Sequence, residues 1–269
     1  MGRSNSLERR RRLTLVEGER SEHFTVESES AEKLMTNGLA VSKLLICTKA
    51  QDTIPALQPL LPTIDRTATV IVLQNGMAAE ELPTLLPTQR LIHAITSDGA
   101  YRTAADTVVL AGRGQTWVGA DSSLRTELPS ALDIQCCDDI ERRKWQKLAV
   151  NCAINGLTAI HHCRNGELLD KPDAVQAIAE ICRELKALSA AGVAPELGDI
   201  EALVEKTLRE TANNYSSMYQ DVANRRTTEI DYLNGYICKL AKQAELACPA
   251  NLKILDQIQA LTNSSNATR

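Results

Sequence analysis

Lys147, Asn151 and Asn155 recur at four-residue intervals in Trp145-Gln-Lys-Leu-Ala-Val-Asn-Cys-Ala-Ile-Asn155. At ~100° per residue they form one slowly drifting stripe on a helix. Asparagine is a poor helix former, so two of them in one helix are a local cost. Their neighbours Ala149, Val150, Cys152, Ala153 and Ile154 point to a largely buried helix. There each amide needs a partner, and a lysine is expensive unless it has a task. On spacing alone two readings stay open, a polar pocket and an unremarkable solvent-facing stripe.

Two more polar clusters accompany it. Asn213-Asn-Tyr-Ser-Ser217 precedes Glu229-Ile-Asp-Tyr-Leu-Asn-Gly235. Taken singly, Ser216 and Ser217 read as helix caps and Glu229 as a first-turn acid favoured by the helix dipole. Gln74-Asn-Gly76 directly follows the apolar run 69–73. In an open parallel sheet the carboxyl ends of the strands line the ligand crevice, which places Asn75 well, although Asn-Gly is also a generic turn.

The elements that must position these residues change character near residue 135. Before it, short β-rich runs alternate with turns at 13–16, 23–26, 43–48, 69–73, 90–95, 107–110 and 116–118. The runs 43–48 and 69–73 are nearly all apolar, the pattern of strands covered on both faces by helices. Residues 55–62 between them suit a short helix, giving a strand, helix, parallel strand unit. Gly18 and the glycines at 112 and 114 mark antiparallel hairpins. After 135, apolar residues fall at three- and four-residue spacing over 141–160, 173–191, 199–215 and 228–247, with Ile230, Leu233, Ile237 and Leu240 the clearest stripe. The expectation is an α/β domain over 1–135, an all-α domain over 136–263 and a polar tail over 264–269.

Thirty Lys+Arg against 34 Asp+Glu give a net charge of −4 and a pI near 5.7, the wrong sign for a chain whose main partner is a phosphate backbone. Aromatics at 3% leave little for base stacking, so nucleic acid is not an expected partner. The basic run 9–12 reads as a solvated helix face. Eight cysteines without C-x-x-C spacing read as reduced, mostly buried thiols of a cytoplasmic protein, with no metal site. No run approaches the length of a membrane span, so no membrane is expected either.

Val72-Leu-Gln-Asn-Gly76, the Lys147-x-x-x-Asn151-x-x-x-Asn155 helix, Asn165-Gly-Glu167, Ser216-Ser-Met-Tyr-Gln-Asp221 and Thr228-Glu-Ile-Asp-Tyr-Leu-Asn-Gly235 together resemble the ketopantoate reductases (2-dehydropantoate 2-reductases). The likeness runs in order through nearly the whole chain. It implies reduction of ketopantoate to pantoate by NADPH, a step toward pantothenate and coenzyme A. It also implies a Rossmann-type dinucleotide-binding domain holding the cofactor, with the substrate in the cleft against a helical domain. By motif position Lys147 is the general acid, which stabilises and protonates the alkoxide formed as hydride reaches the keto carbon. Asn151, Asn155 and Asn165 hold the substrate's carboxylate and oxygens through amide donors, and Ser217 adds a hydroxyl. Asn75 bridges substrate and cofactor, Glu229 sits against Lys147 and the nicotinamide ribose, and Ala100 and Lys49 line the cofactor groove. A homodimer is within the expectation.

The family opens with a strand, a G-x-G-x-x-G turn and a helix, and no such element is present. Gly112-Arg-Gly114 is the nearest match, but its third glycine position is Trp117. If Arg3 corresponds to the arginine after the second strand that grips the 2′-phosphate, most of one unit, roughly 30 residues, is missing and the Rossmann-type domain is incomplete. The pyrophosphate would then lose its helix N-terminus. Thr96-Ser-Asp98-Gly-Ala100 carries an aspartate where family members often have histidine, which changes the local charge. Three functional classes follow: a ketopantoate reductase, a sibling reductase of another small keto acid using the same lysine, and a non-catalytic truncated remnant.

Overall fold

The structure, a computed structural model, describes residues 10–38, 40–77, 81–119 and 134–266. Contacts divide the chain into two compact units, Met1–Gln74 with Ala79–Ile140, and Asn75–Ala78 with Glu141–Arg269. The division therefore falls a few residues after the change of texture near 135, because Ile134–Cys137 is still a strand of the first unit.

The first unit opens with an antiparallel hairpin of β1 (Arg10–Glu17) and β2 (Arg20–Glu27) around Gly18, as the glycine suggests. Arg10, Arg11 and Arg12 lie on this strand rather than on a helix face. Arg10 pairs with Glu27 on β2 and Arg11 with Asp106 in the turn before Thr107, so opposite charges face these two arginines. Then come α1 (Ala31–Thr36), capped by the Ser30 hydroxyl, β3 (Val41–Ile46) and α2 (Thr53–Leu57). The helix expected over 55–62 continues only as a 3-10 turn over Gln58–Thr63, where Pro59 and Pro62 remove backbone donors. The remaining elements are β4 (Ile64–Leu73), α3 (Leu82–Leu85), β5 (Arg90–Thr96), β6 (Gly99–Ala104), β7 (Thr107–Gly112), β8 (Thr116–Gly119) and β9 (Ile134–Cys137).

They form two sheets, β2-β1-β7-β6 and β3-β4-β5-β8-β9. In the second, β3, β4 and β5 run parallel, as the strand-helix-strand reading requires. β4 is covered on both faces: Val70 and Val72 enter one apolar cluster with Leu57, Leu60 and Leu82, while Ile71 enters another with Ile92, Ala94 and Val118. The same expectation for 43–48 is corrected. Among the described residues β3 has β4 as its sole neighbour, and Leu45 is 50% exposed. The glycines at 112 and 114 do not form a hairpin either. They join strands of different sheets, β7 pairing with β6 and β8 with β5.

The second unit contains α4 (Ile140–His161), a 3-10 turn over Gly166–Asp170, α5 (Pro172–Ala190), α6 (Ile200–Glu210), α7 (Ser217–Ala223), a 3-10 turn over Ile230–Tyr232, α8 (Asn234–Gln243) and α9 (Pro249–Asn266). One core of buried residues unites them, including Leu148, Leu157, Ile181, Leu208, Ile237 and Ile258. α9 carries the chain as a helix through part of the segment read as a polar tail. The Glu184 carboxylate on α5 caps it from outside, accepting from the Ala250 and Asn251 backbone N–H groups at 2.6 and 3.0 Å. Ile230, Leu233 and Ile237 are buried as their spacing suggests, but the helix starts only at Asn234, because Leu233 has non-helical backbone angles. All eight cysteines are free. Cys152, Cys163 and Cys182 are buried, Cys47 is exposed and the other four are intermediate, so most are less enclosed than composition suggested.

Candidate active site

Lys147, Asn151 and Asn155 are partly buried on α4, while Leu148, Ala149, Cys152, Ala153, Ile154 and Leu157 around them are buried. The stripe is therefore a polar seam on an otherwise enclosed helix. Neither asparagine side chain has a protein hydrogen-bond partner among the described residues. Burial pushes the Lys147 ammonium down from 10.5 to about 8, and the nearby Glu229 carboxylate opposes part of that fall. At neutral pH such a lysine is still mostly charged and close to releasing its proton, the condition of an effective acid.

Glu229 is buried, 8% exposed, and stands at the N-cap position of the 3-10 turn Ile230–Tyr232 rather than inside a helix. This turn also anchors Asn75. Gly76 has φ +68°, and a Cβ there would lie 2.7 Å from the Tyr232 carbonyl oxygen. That same carbonyl accepts the Met77 N–H at 3.2 Å. A residue without a side chain thus lets the segment after β4 press against the Glu229 turn, and Asn75 joins the unit of Lys147.

Asn165 is 8% exposed, and its Nδ2 donates to Thr211 Oγ1 at 2.9 Å. Thr211 in turn donates to the Thr207 carbonyl at 2.6 Å, so its oxygen is the acceptor toward Asn165 and the amide's orientation is set. One donor of Asn165 is therefore committed within the protein. Of the adjacent serines, Ser216 is the cap of α7, accepting from Tyr219 N–H at 3.0 Å, whereas Ser217 is exposed at the first position of that helix.

Two cofactor candidates lie in the first unit on different sheets. Lys49 is in the turn after β3, where its carbonyl accepts from Asp52 N–H and Thr53 Oγ1. Ala100 is exposed on β6 opposite Leu110. Arg3 lies outside the described residues. Asp98 has a local task that its charge alone did not disclose. Its carboxylate accepts from Gly114 N–H at 2.6 Å and from Thr96 Oγ1 at 3.0 Å, tying the β5–β6 turn to the segment before β8.

Sequence reasoning assigned no role to Gln74, Thr158 or Thr211. Gln74 Nε2 donates to the Thr48 carbonyl at 2.8 Å and also contacts Thr53 Oγ1, linking the carboxyl ends of β3 and β4. Thr158 was detectable in principle, since it continues the α4 stripe three residues beyond Asn155. Among the described residues no group of three or more His, Cys, Asp or Glu side chains is placed to hold a metal, and no helix is long and apolar enough to cross a membrane.

Family models described as ketopantoate reductase PanE/ApbA match residues 1–123, and as its C-terminal part residues 139–262. A 2-dehydropantoate 2-reductase of Vibrio cholerae serotype O1 is 38% identical over 233 residues, covering 82% of this chain and 78% of that protein. A PanE/ApbA family ketopantoate reductase from Ralstonia eutropha shares the fold with a TM-score of 0.84 at 23% identity, over 94% of this chain and 86% of that one. A dimeric ketopantoate reductase from Staphylococcus aureus does so at 0.79 and 17% identity, over 95% and 88%.

Proposed function

The chain belongs to the ketopantoate reductase family, and on that premise we infer that it reduces 2-dehydropantoate to pantoate with NADPH. The observation that carries the reading is Lys147, a partly buried lysine with a pKa lowered to about 8, beside Glu229 and on one stripe with two amides that have no protein hydrogen-bond partner among the described residues.

The residues present fit the nicotinamide coenzyme on two counts. Lys49 and Gln74 stand at the carboxyl ends of parallel strands, where open sheets take nucleotides. Gln74 Oε1 is also a buried acceptor without a partner among the described residues. Lys49, Ala100, Asn75 and Glu229 would hold the cofactor, which when bound supplies the hydride.

Lys147 holds a proton at Nζ and delivers it to the keto oxygen as negative charge develops there. Glu229 keeps the ammonium charged against the cost of its burial. Asn151 and Asn155 donate to the substrate's carboxylate and oxygens, Ser217 adds a hydroxyl, and Asn165 contributes the donor that Thr211 leaves over. Asn75, pinned beside the Glu229 turn, orients substrate against cofactor. The same reading includes a cytoplasmic homodimer, supported by the dimeric Staphylococcus aureus reductase of the same fold; light scattering on the eluting protein checks the dimer.

Substrate choice tests the reaction. Ketopantoate carries a hydroxymethyl arm that 2-ketoisovalerate lacks, and buried donors discriminate against analogues that leave them unpaired. NADPH consumption should favour ketopantoate by roughly 10²-fold or more in kcat/KM. Equal efficiency would make the protein a sibling reductase, and no turnover of either acid would make it non-catalytic.

A further inference from the structure

Thr158 is fully buried one turn beyond Asn155 on α4. Its Oγ1 lies 2.9 Å from the Asn155 carbonyl oxygen and 2.7 Å from Ser216 Oγ. Ser216 is buried too, and its Oγ is 3.4 Å from that same carbonyl while accepting the Tyr219 N–H. Thr158 Oγ1 is thus placed to donate to Ser216 Oγ or to the Asn155 carbonyl, and Ser216 Oγ, which accepts the Tyr219 N–H, can give its own proton to that same carbonyl.

This set of bonds joins α4 to the first turn of α7. α4 is a long helix whose buried residues run from Trp145 to Ala159. α7 has only seven residues, Ser217–Ala223, and follows a segment in which Asn213, Asn214 and Tyr215 are exposed. So short a helix has little stability of its own and takes its position from its anchors. Met218 and Asp221 anchor its inner face, and Asp221 is further held by Arg226 at 3.1 Å. At its first turn the anchor is Ser216, and the side chain Ser216 meets on α4 is Thr158.

We propose that Thr158 is a positioning residue of the reductase, clamping the start of α7 to the α4 turn that carries Asn155 so that the Ser217 hydroxyl and the Asn155 amide meet the keto acid in fixed register. The inference rests on the reading that Ser217 and Asn155 bind that substrate. Thr158 itself touches neither substrate nor cofactor in this scheme.

Thr158→Val keeps the shape and removes the hydroxyl. It should raise KM for ketopantoate roughly tenfold, the scale of one weakened hydrogen bond, with kcat changed less than about twofold. Thr158→Ser should restore the wild-type KM. Ser217→Ala alone should also raise KM, and adding Thr158→Val to it should change KM by less than about twofold, because the group through which Thr158 acts is gone. A purely structural threonine would instead lower the melting temperature and add its full effect in both backgrounds. Ser216→Ala breaks the clamp from the α7 side; if Thr158→Val cannot be purified, it replaces that variant in the same cycle. Full additivity, or an unchanged KM in Thr158→Val while Ser217→Ala raises it, overturns the clamp alone. An unchanged KM in Ser217→Ala overturns the substrate reading of Ser217, and the clamp with it.

Discussion

Replacing Glu229 by glutamine keeps the side chain's shape and removes the charge that holds Lys147 protonated. Burial alone lowers the Lys147 pKa, and Glu229 acts against it to leave the value at about 8. An opposite charge at close range shifts a pKa by ~1–3, and taking the lower figure puts Lys147 near 7 in Glu229→Gln. If the protonated lysine is the acid, kcat/KM falls as pH rises through its pKa. The charged fraction at pH 8.5 then drops about eightfold in the variant, while at pH 6 it changes by less than about 1.2-fold. The assay is kcat/KM for ketopantoate from pH 5.5 to 9.5 at saturating NADPH, which separates this effect from any loss of ribose contact. The alkaline limb should move down by about one pH unit. An unmoved limb, with activity lowered equally at every pH, would refute the electrostatic coupling. A limb moved upward would refute the assignment of Lys147 as the acid.

Lys147→Met should lower kcat on the order of 10²-fold or more, as loss of a general acid does. The same variant should lose one pH dependence of stability. Between pH about 8 and 10.5 the unfolded chain holds a proton that the folded one has released, so wild-type stability rises with pH across that window. The variant should lack this slope, read by denaturant titration at several pH values. Gly76→Ala forces a side chain into a left-handed backbone position against the Tyr232 carbonyl; it should cost about 1–3 kcal/mol in the same titration and weaken ketopantoate binding through Asn75. Leu45→Lys puts a charge on β3, an edge strand among the described residues, and should reduce any concentration-dependent association in light scattering; unchanged association would show that it does not run through this strand.

The local geometry of the candidate site was legible in the sequence, because a helix period belongs to the backbone. Lys147, Asn151 and Asn155 had to share a face of α4 wherever that helix packed, and the apolar 69–73 run had to send Val70 and Ile71 to opposite sides. What spacing could not supply was the identity of distant partners. Whether the α4 stripe faced solvent or an enclosed seam depended on helices elsewhere in the chain, and the pKa of Lys147 on burial by them and on a carboxylate some eighty residues away. Asn75 reaches the helical unit only because Gly76 fits under Tyr232, and Thr158 has meaning only beside Ser216. The errors have the same origin: glycines at 112 and 114 announced a turn but not which strands pair across it, and the apolar texture of 43–48 announced a strand but not its place at a sheet edge. Local geometry is set by each residue's own backbone and side chain, whereas pairing, burial and pKa are set by contacts between segments far apart in the chain, which exist only once the tertiary fold has formed.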